Sequence, residues 1–293
     1  MGSESLVRCK FHPLLASEAG TARPWRSGAF VGLVLLLLLP CLSGQAQMPP
    51  MGDFSGYERI DRAQVLALLS AATARAPADL SSKNLSDLDL AGVDFKHANL
   101  TAAVMNGANL SGADLSGCNL TVSFAERANL QNARLRGAIM FSMQLGGANL
   151  RGADLTGARF IGDLQHADLR GAHLAKLDGA ADMKNQSMGL MHAVISSADL
   201  GGADMHDADL SRADFSFSSL AAANLHGARI FGGDFSGTSL AGADLSGSDL
   251  RESKFIDTDF SGADLTNADL SGSVLRNVRG LDSAKRTGAR GLP

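Results

Sequence analysis

Apolar residues recur every five positions through most of this chain, and that spacing excludes more folds than any other property of the sequence. Written in fives from Ser81, a Leu, Phe, Met or Ile stands at Leu85, Leu90, Phe95, Leu100, Met105 and onward to Phe160, with Ala125 the single break in 16 places; the same frame runs 17 for 17 from Ile195 to Leu275. Two residues before each lies something small, such as Ala98, Ala103, Cys118, Ser123 or Ala208, and the residue between is usually Asp or Asn. A period of five fits neither an α-helix nor a flat strand. It fits a chain that turns a corner every five residues, each side of a square giving one large and one small side chain to the interior. Four sides close a coil of about 20 residues, and coils stacked through backbone hydrogen bonds rise about 4.8 Å each. The small inward residue is needed because large side chains alone overfill so narrow an interior. Gly at the fifth place suits a corner that needs unusual φ/ψ.

The repeated unit A-[DN]-L-x-x, intact in Ala113-Asp114-Leu115-Ser116-Gly117 and Ala263-Asp264-Leu265-Thr266-Asn267, resembles the pentapeptide-repeat family over residues 81–277. The resemblance implies an all-β fold, a right-handed quadrilateral β-helix of about ten 20-residue coils. It implies little about function, since the fold carries many roles. The best-known members resemble DNA in shape and charge and bind DNA gyrase.

Composition agrees with a repeat. Hydrophobic residues make up 45% of the chain but aromatics only 5%, so the apolar mass is aliphatic. The net charge of -4 gives no basic footprint for nucleic acid. Residues 1–46 read as a secretory signal peptide: Arg8, Lys10, Arg23 and Arg26 precede the apolar run Ala29 to Leu39, and Gly44-Gln45-Ala46 offers a cleavage site. A secreted or periplasmic location is expected, with a retained membrane anchor as the alternative; no other membrane contact is expected. Cleavage after Ala46 leaves Cys118 as the one thiol, so neither an internal disulfide nor a zinc-cysteine site is available.

Residues 47–80 read as a linker and capping helix. Tyr57 to Arg75 carries an apolar face of Ile60, Ala63, Leu66 and Leu69, and a solenoid needs its open end covered. Between Phe160 and Ile195 the frame slips: Leu164, Leu169 and Leu174 come one residue early. A bulge, kink or projecting loop is expected within 161–194, centred on 175–192. After the last repeat, 278–293 form a basic tail with Arg279, Lys285, Arg286 and Arg290, expected to fray.

No residues single themselves out for catalysis, and the chain is expected to be a non-enzyme without cofactor. Steps of 20 place Asp209, Arg229 and Asp249 in one outer column and stack Asp244 on Asp264, a costly pair unless their oxygens accept hydrogen bonds. His206 and His226 also stand 20 apart, and Met183, Met188, Met191 and His192 cluster in the irregular segment, where thioether and imidazole suit copper. Outward apolar residues form the candidate interaction patch: Val104, Val122, Phe124, Ile139, Phe141 and Ile161. Either the N-terminal cap or the irregular segment covers them, or they meet a partner protein or a second copy. The expected function is a rigid exported scaffold for protein–protein interaction, with a metal-binding (copper) or hydrolytic role at the Met/His segment as the alternative and a DNA-mimicking gyrase-binding role third.

Overall fold

A computed structural model describes residues 54–180 and 192–293. The chain divides into two compact units at Met51, and all described residues belong to the second, Gly52–Pro293. The signal-peptide expectation for 1–46 lies outside the described residues.

The five-residue period winds as a four-sided coil. On each side the small and the large inward residues are buried, and one outward residue bridges in parallel to the coils before and after. One side carries Asp79, Asn99, Asn119, Ile139, Arg159, Asp178, Asp209, Arg229, Asp249, Asp269 and Arg290 in succession. Backbone bonds run between coils in both directions: the N–H of Leu100 donates to Asn119 O at 2.7 Å, and the N–H of Asn119 donates to Ala98 O at 3.2 Å. Longer pairing occurs at three places: β1 (Glu58–Arg59) with β2 (Lys83–Asn84), β3 (Ile139–Gln144) with β4 (Arg159–Asp163), and β5 (Lys254–Ile256) with β6 (Val274–Arg276), all parallel.

The interior holds more aromatic mass than its narrowness suggests. Phe215, Phe235 and Phe255 stack along one side with centroids 5.1 and 5.0 Å apart and planes within 10°. The neighbouring small positions are Ser218, Thr238, Ser253 and Thr258, whose buried hydroxyls donate to carbonyls such as Phe215 O, 2.7 Å from Thr238 Oγ1. Ala125, the break in the large series, and Met143, a large residue in a small place of the next coil, are both buried.

The capping helix is shorter than the pattern suggests. α1 spans Arg62–Ala71, started by an Asp61–Gln64 capping box, and buries Val65 and Leu69. Glu58 and Arg59 pair as a strand instead, because Ile60 donates to Asn84 O and extends the first coil. Before β1 the chain reaches a later coil, with the Phe54 ring 5.0 Å from that of Phe124 and 5.5 Å from that of Tyr57.

The irregularity resolves into two separate events. Phe141 pairs with Ile161 but Met143 with Gly162, so Ser142 is a bulge and the next coil has 19 residues. A Cβ at Gly162 would lie 2.3 Å from Met143 O, so the close approach requires glycine there. Residues 164–179 then wind regularly, in contrast to the expectation of irregularity from 161. Asp163 next pairs with Val194, 31 residues on, and Asp178 with Asp209. The added chain falls between Gly179, which still donates to Asp209 O, and Ala193.

The coils also begin before 81 and run past 277. Arg279, Lys285 and Arg290 pair with Asp259, Asp264 and Asp269, so the basic segment is wound rather than frayed: each cation lies over a carboxylate of the previous coil. Truncation after Asn277 should therefore lower stability in urea by about 2–4 kcal/mol, as Leu265 and Leu270 lose their cover. An unchanged unfolding midpoint would restore the frayed-tail reading.

Candidate functional site

The outward Asp or Asn of each repeat first serves its own corner. Its Oδ1 accepts the N–H two residues on, as in Ser116 to Asp114 at 3.0 Å and Thr121 to Asn119 at 3.1 Å, and often the hydroxyl as well, as in Ser236 Oγ to Asp234 at 2.6 Å. The corner residue itself has positive φ, whether Gly117 (62°) or Asn267 (60°). Between coils the same side chains form ladders: Asn149 donates to Asn129, Asn129 to Asn109 and Asn109 to Asp89, at 3.1, 3.1 and 2.9 Å.

Opposite charges meet at several places between and within coils, although Asp also stacks on Asp, as at Asp178–Asp209 and Asp249–Asp269. Arg229 meets Asp209 at 3.1 Å, Lys254 meets Asp234 at 3.2 Å, and Arg251 grips Asp249 with two nitrogens. The stacked pair Asp244 and Asp264 is relieved by hydrogen bonds from Ser246 and Thr266 and by Lys285. Bonds from Thr266, then Lys285, push the Asp264 carboxyl down to about 2. Asp249, held by Arg251, also lies below the usual range.

Val104 and Ile161 are buried, which removes them from the outward patch. Phe124 is half-buried because Phe54 lies on it, and Val122 and Phe141 are half-buried at the adjoining corner. Of that set only Ile139 is largely open, at 47%. The most exposed large apolar residue among those described is Phe217, at 72%. Its corner place, usually held by small or polar residues, was the available sequence signal. Phe217 has φ 59°, where a bulky residue is strained, and its ring rests on Gly237, whose Cβ, if present, would be 2.6 Å from Cδ1.

His206 and His226 do not share a ligand. His206 Nδ1 faces Asp204 Oδ1 at 2.8 Å and His226 Nδ1 faces Ser246 Oγ at 2.9 Å. His192 is half-buried, while Met183, Met188 and Met191 lie outside the described residues. Among the described residues no group of three or more His, Cys, Asp or Glu is placed to hold a metal ion. No described helix is long and apolar enough to cross a membrane. Cys118 is buried in a small inward place, and burial pushes its thiol up to about 12.

The family described as Pentapeptide repeats matches the chain in 8 copies, over residues 84–121, 128–178, 190–227, 198–237 and 234–272. Similar solved structures include HetL, a pentapeptide repeat protein involved in heterocyst differentiation regulation from the cyanobacterium Nostoc sp. strain PCC 7120. It is 23% identical, with 78% of this chain and 96% of that chain covered and a TM-score of 0.44. A second Nostoc PCC 7120 pentapeptide repeat protein, alr5209, is 31% identical over 40% of this chain and 80% of its own, with a TM-score of 0.29. QnrB1, a plasmid-mediated fluoroquinolone resistance protein, is 21% identical over 67% of this chain and 86% of its own, with a TM-score of 0.29. No curated protein matches the chain.

Two outcomes follow from this chemistry. Carboxylates whose folded pKa lies below the unfolded value contribute stability above the latter, and that contribution is lost as pH falls through the former. The thermal midpoint should stay level at neutral pH and drop as pH falls from about 3.8 toward about 2, with Asp264→Asn removing part of the drop. In thiol labelling, Cys118 should stay unmodified in the native chain and react at once in denaturant; rapid native labelling would contradict its burial.

Proposed function

Because the chain belongs to the pentapeptide-repeat family, whose right-handed quadrilateral β-helix it adopts, we propose that it is an exported, non-catalytic scaffold that offers a rigid surface to a protein partner. Phe217 carries this reading. The residue is open to water and its ring is seated on a bare glycine, so the fold bears there the cost of an exposed ring that a polar residue at the same corner would avoid. A large apolar ring left open at a corner that is otherwise small or polar is the candidate contact. Ile139, elsewhere on the surface, is a second open apolar point.

Export is supported by the charged, apolar and small-residue order of 1–46. The gyrase reading is weakened by charge: a nucleic-acid mimic needs a run of unneutralised carboxylates, and here Arg134, Arg159, Arg229, Lys254, Arg279 and Lys285 each stand against an Asp of a neighbouring coil.

Phe217→Asp and Ile139→Asp should each leave the melting temperature unchanged within about 0.5 kcal/mol of stability. Together they should abolish co-purification of a specific partner from the extracytoplasmic fraction, in which the chain should begin at Gln47. Identical co-purifying proteins with and without the substitutions would overturn the assignment of the contact.

A further inference from the structure

One notch on the coil surface combines space with unspent hydrogen-bond donors. Its volume is about 400 Å³ and it is lined by Arg136, Asp154, Thr156, His173, Ala175, Lys176, Asp204 and His206. The space arises from a size mismatch in one corner column. Arg136, Thr156, Ala175, His206 and His226 follow one another there, as the bonds Gly137 N–H to Thr156 O, Gly157 N–H to Ala175 O, Lys176 N–H to His206 O and Asp207 N–H to His226 O show. Ala175 is the one small member, nearly buried at 6%, so a gap opens between Thr156 and His206.

Both carboxylates at the notch are already engaged. Asp154 Oδ1 accepts from Thr156 N–H and Oδ2 meets Arg136 Nε at 3.2 Å. Asp204 Oδ1 accepts from His206 Nδ1 at 2.8 Å and from Asn224 Nδ2 at 2.9 Å. Partial burial works against ionisation of Asp204, but these bonds outweigh it and hold the carboxyl below its usual range. The donors are not spent. Among the described residues the Lys176 ammonium and the His173 ring have no side-chain partner, and His206, fixed through Nδ1, keeps Nε2 free. Lys176 also sits at a corner with φ 56°, which sets where its side chain departs.

The geometry points to a binding site for a small tetrahedral oxyanion, of the phosphate or sulfate class, held by Lys176, His173 and His206 in the notch above Ala175. A metal cation is disfavoured because Asp154 and Asp204 are committed to Arg136 and His206 and do not converge with the imidazoles on one point. Arg136 and Lys176 balance the charge of Asp154 and Asp204.

Sulfate is the suitable probe because its charge does not change near neutral pH. In the full chain, the His173 and His206 ring resonances should shift saturably with added sulfate. Lys176→Ala should weaken binding about tenfold, the loss of one charge-assisted hydrogen bond. Ala175→Gln fills the notch with a residue of the size its column already accepts, and should abolish binding with the melting temperature unchanged. Shifts that fail to saturate, or undiminished binding by either variant, would overturn the site.

Discussion

The structure depends on one exchange of backbone hydrogen bonds. Each large inward residue donates its N–H forward to the outward residue one coil on, and that outward residue donates back to the small inward residue of the previous coil, as Leu100, Asn119 and Ala98 do. The main chain is thereby satisfied without long strands. The exchange also fixes the spacing of coils at about 4.8 Å, so every side chain lies directly over its counterpart. Like then stacks on like: Phe215 on Phe235 on Phe255 inside, Asn109 on Asn129 on Asn149 outside. Packing is decided column by column, and a residue is good or bad according to what stands 20 places away.

The same spacing governs the charge. Asp is frequent because its oxygen closes the corner, and a column of Asp would accumulate repulsion if nothing intervened. Arg and Lys intervene at intervals, and the terminal coil ends three columns with Arg279, Lys285 and Arg290. Each exposed pair contributes little. Their collective effect is a surface whose field is local, which favours short-range recognition by shape and apolar contact.

The period and the inward residues were legible because they repeat: the frame read from Leu85 to Phe160 and from Ile195 to Leu270 coincides with the buried set, and Leu275 at its end is partly buried. What stayed hidden belongs to residues without a counterpart. Phe124 looks exposed in the repeat, but the Phe54 ring lies on it, and no periodicity announces that contact. The expected helix at 57–75 lost its first turn to strand pairing with Lys83 and Asn84, a contact the apolar pattern does not encode. The notch at Ala175 escaped for a related reason. Counting in twenties fails where the coils have 19 and 31 residues, so His206, lying 31 residues from Ala175, is not read as its neighbour.

The 31-residue coil has an implication for how such a chain can change. Pairing on either side of the added chain is undisturbed: Asp178 still meets Asp209, and Asp163 meets Val194. An insertion at a corner meets only the slowly growing entropy of loop closure, not the cost of repacking a core. Corners are thus points where new chain can be tried one at a time, each trial isolated from the rest of the stack. The β-helix is in this sense a permissive host for variation, and its monotony is what makes local novelty affordable.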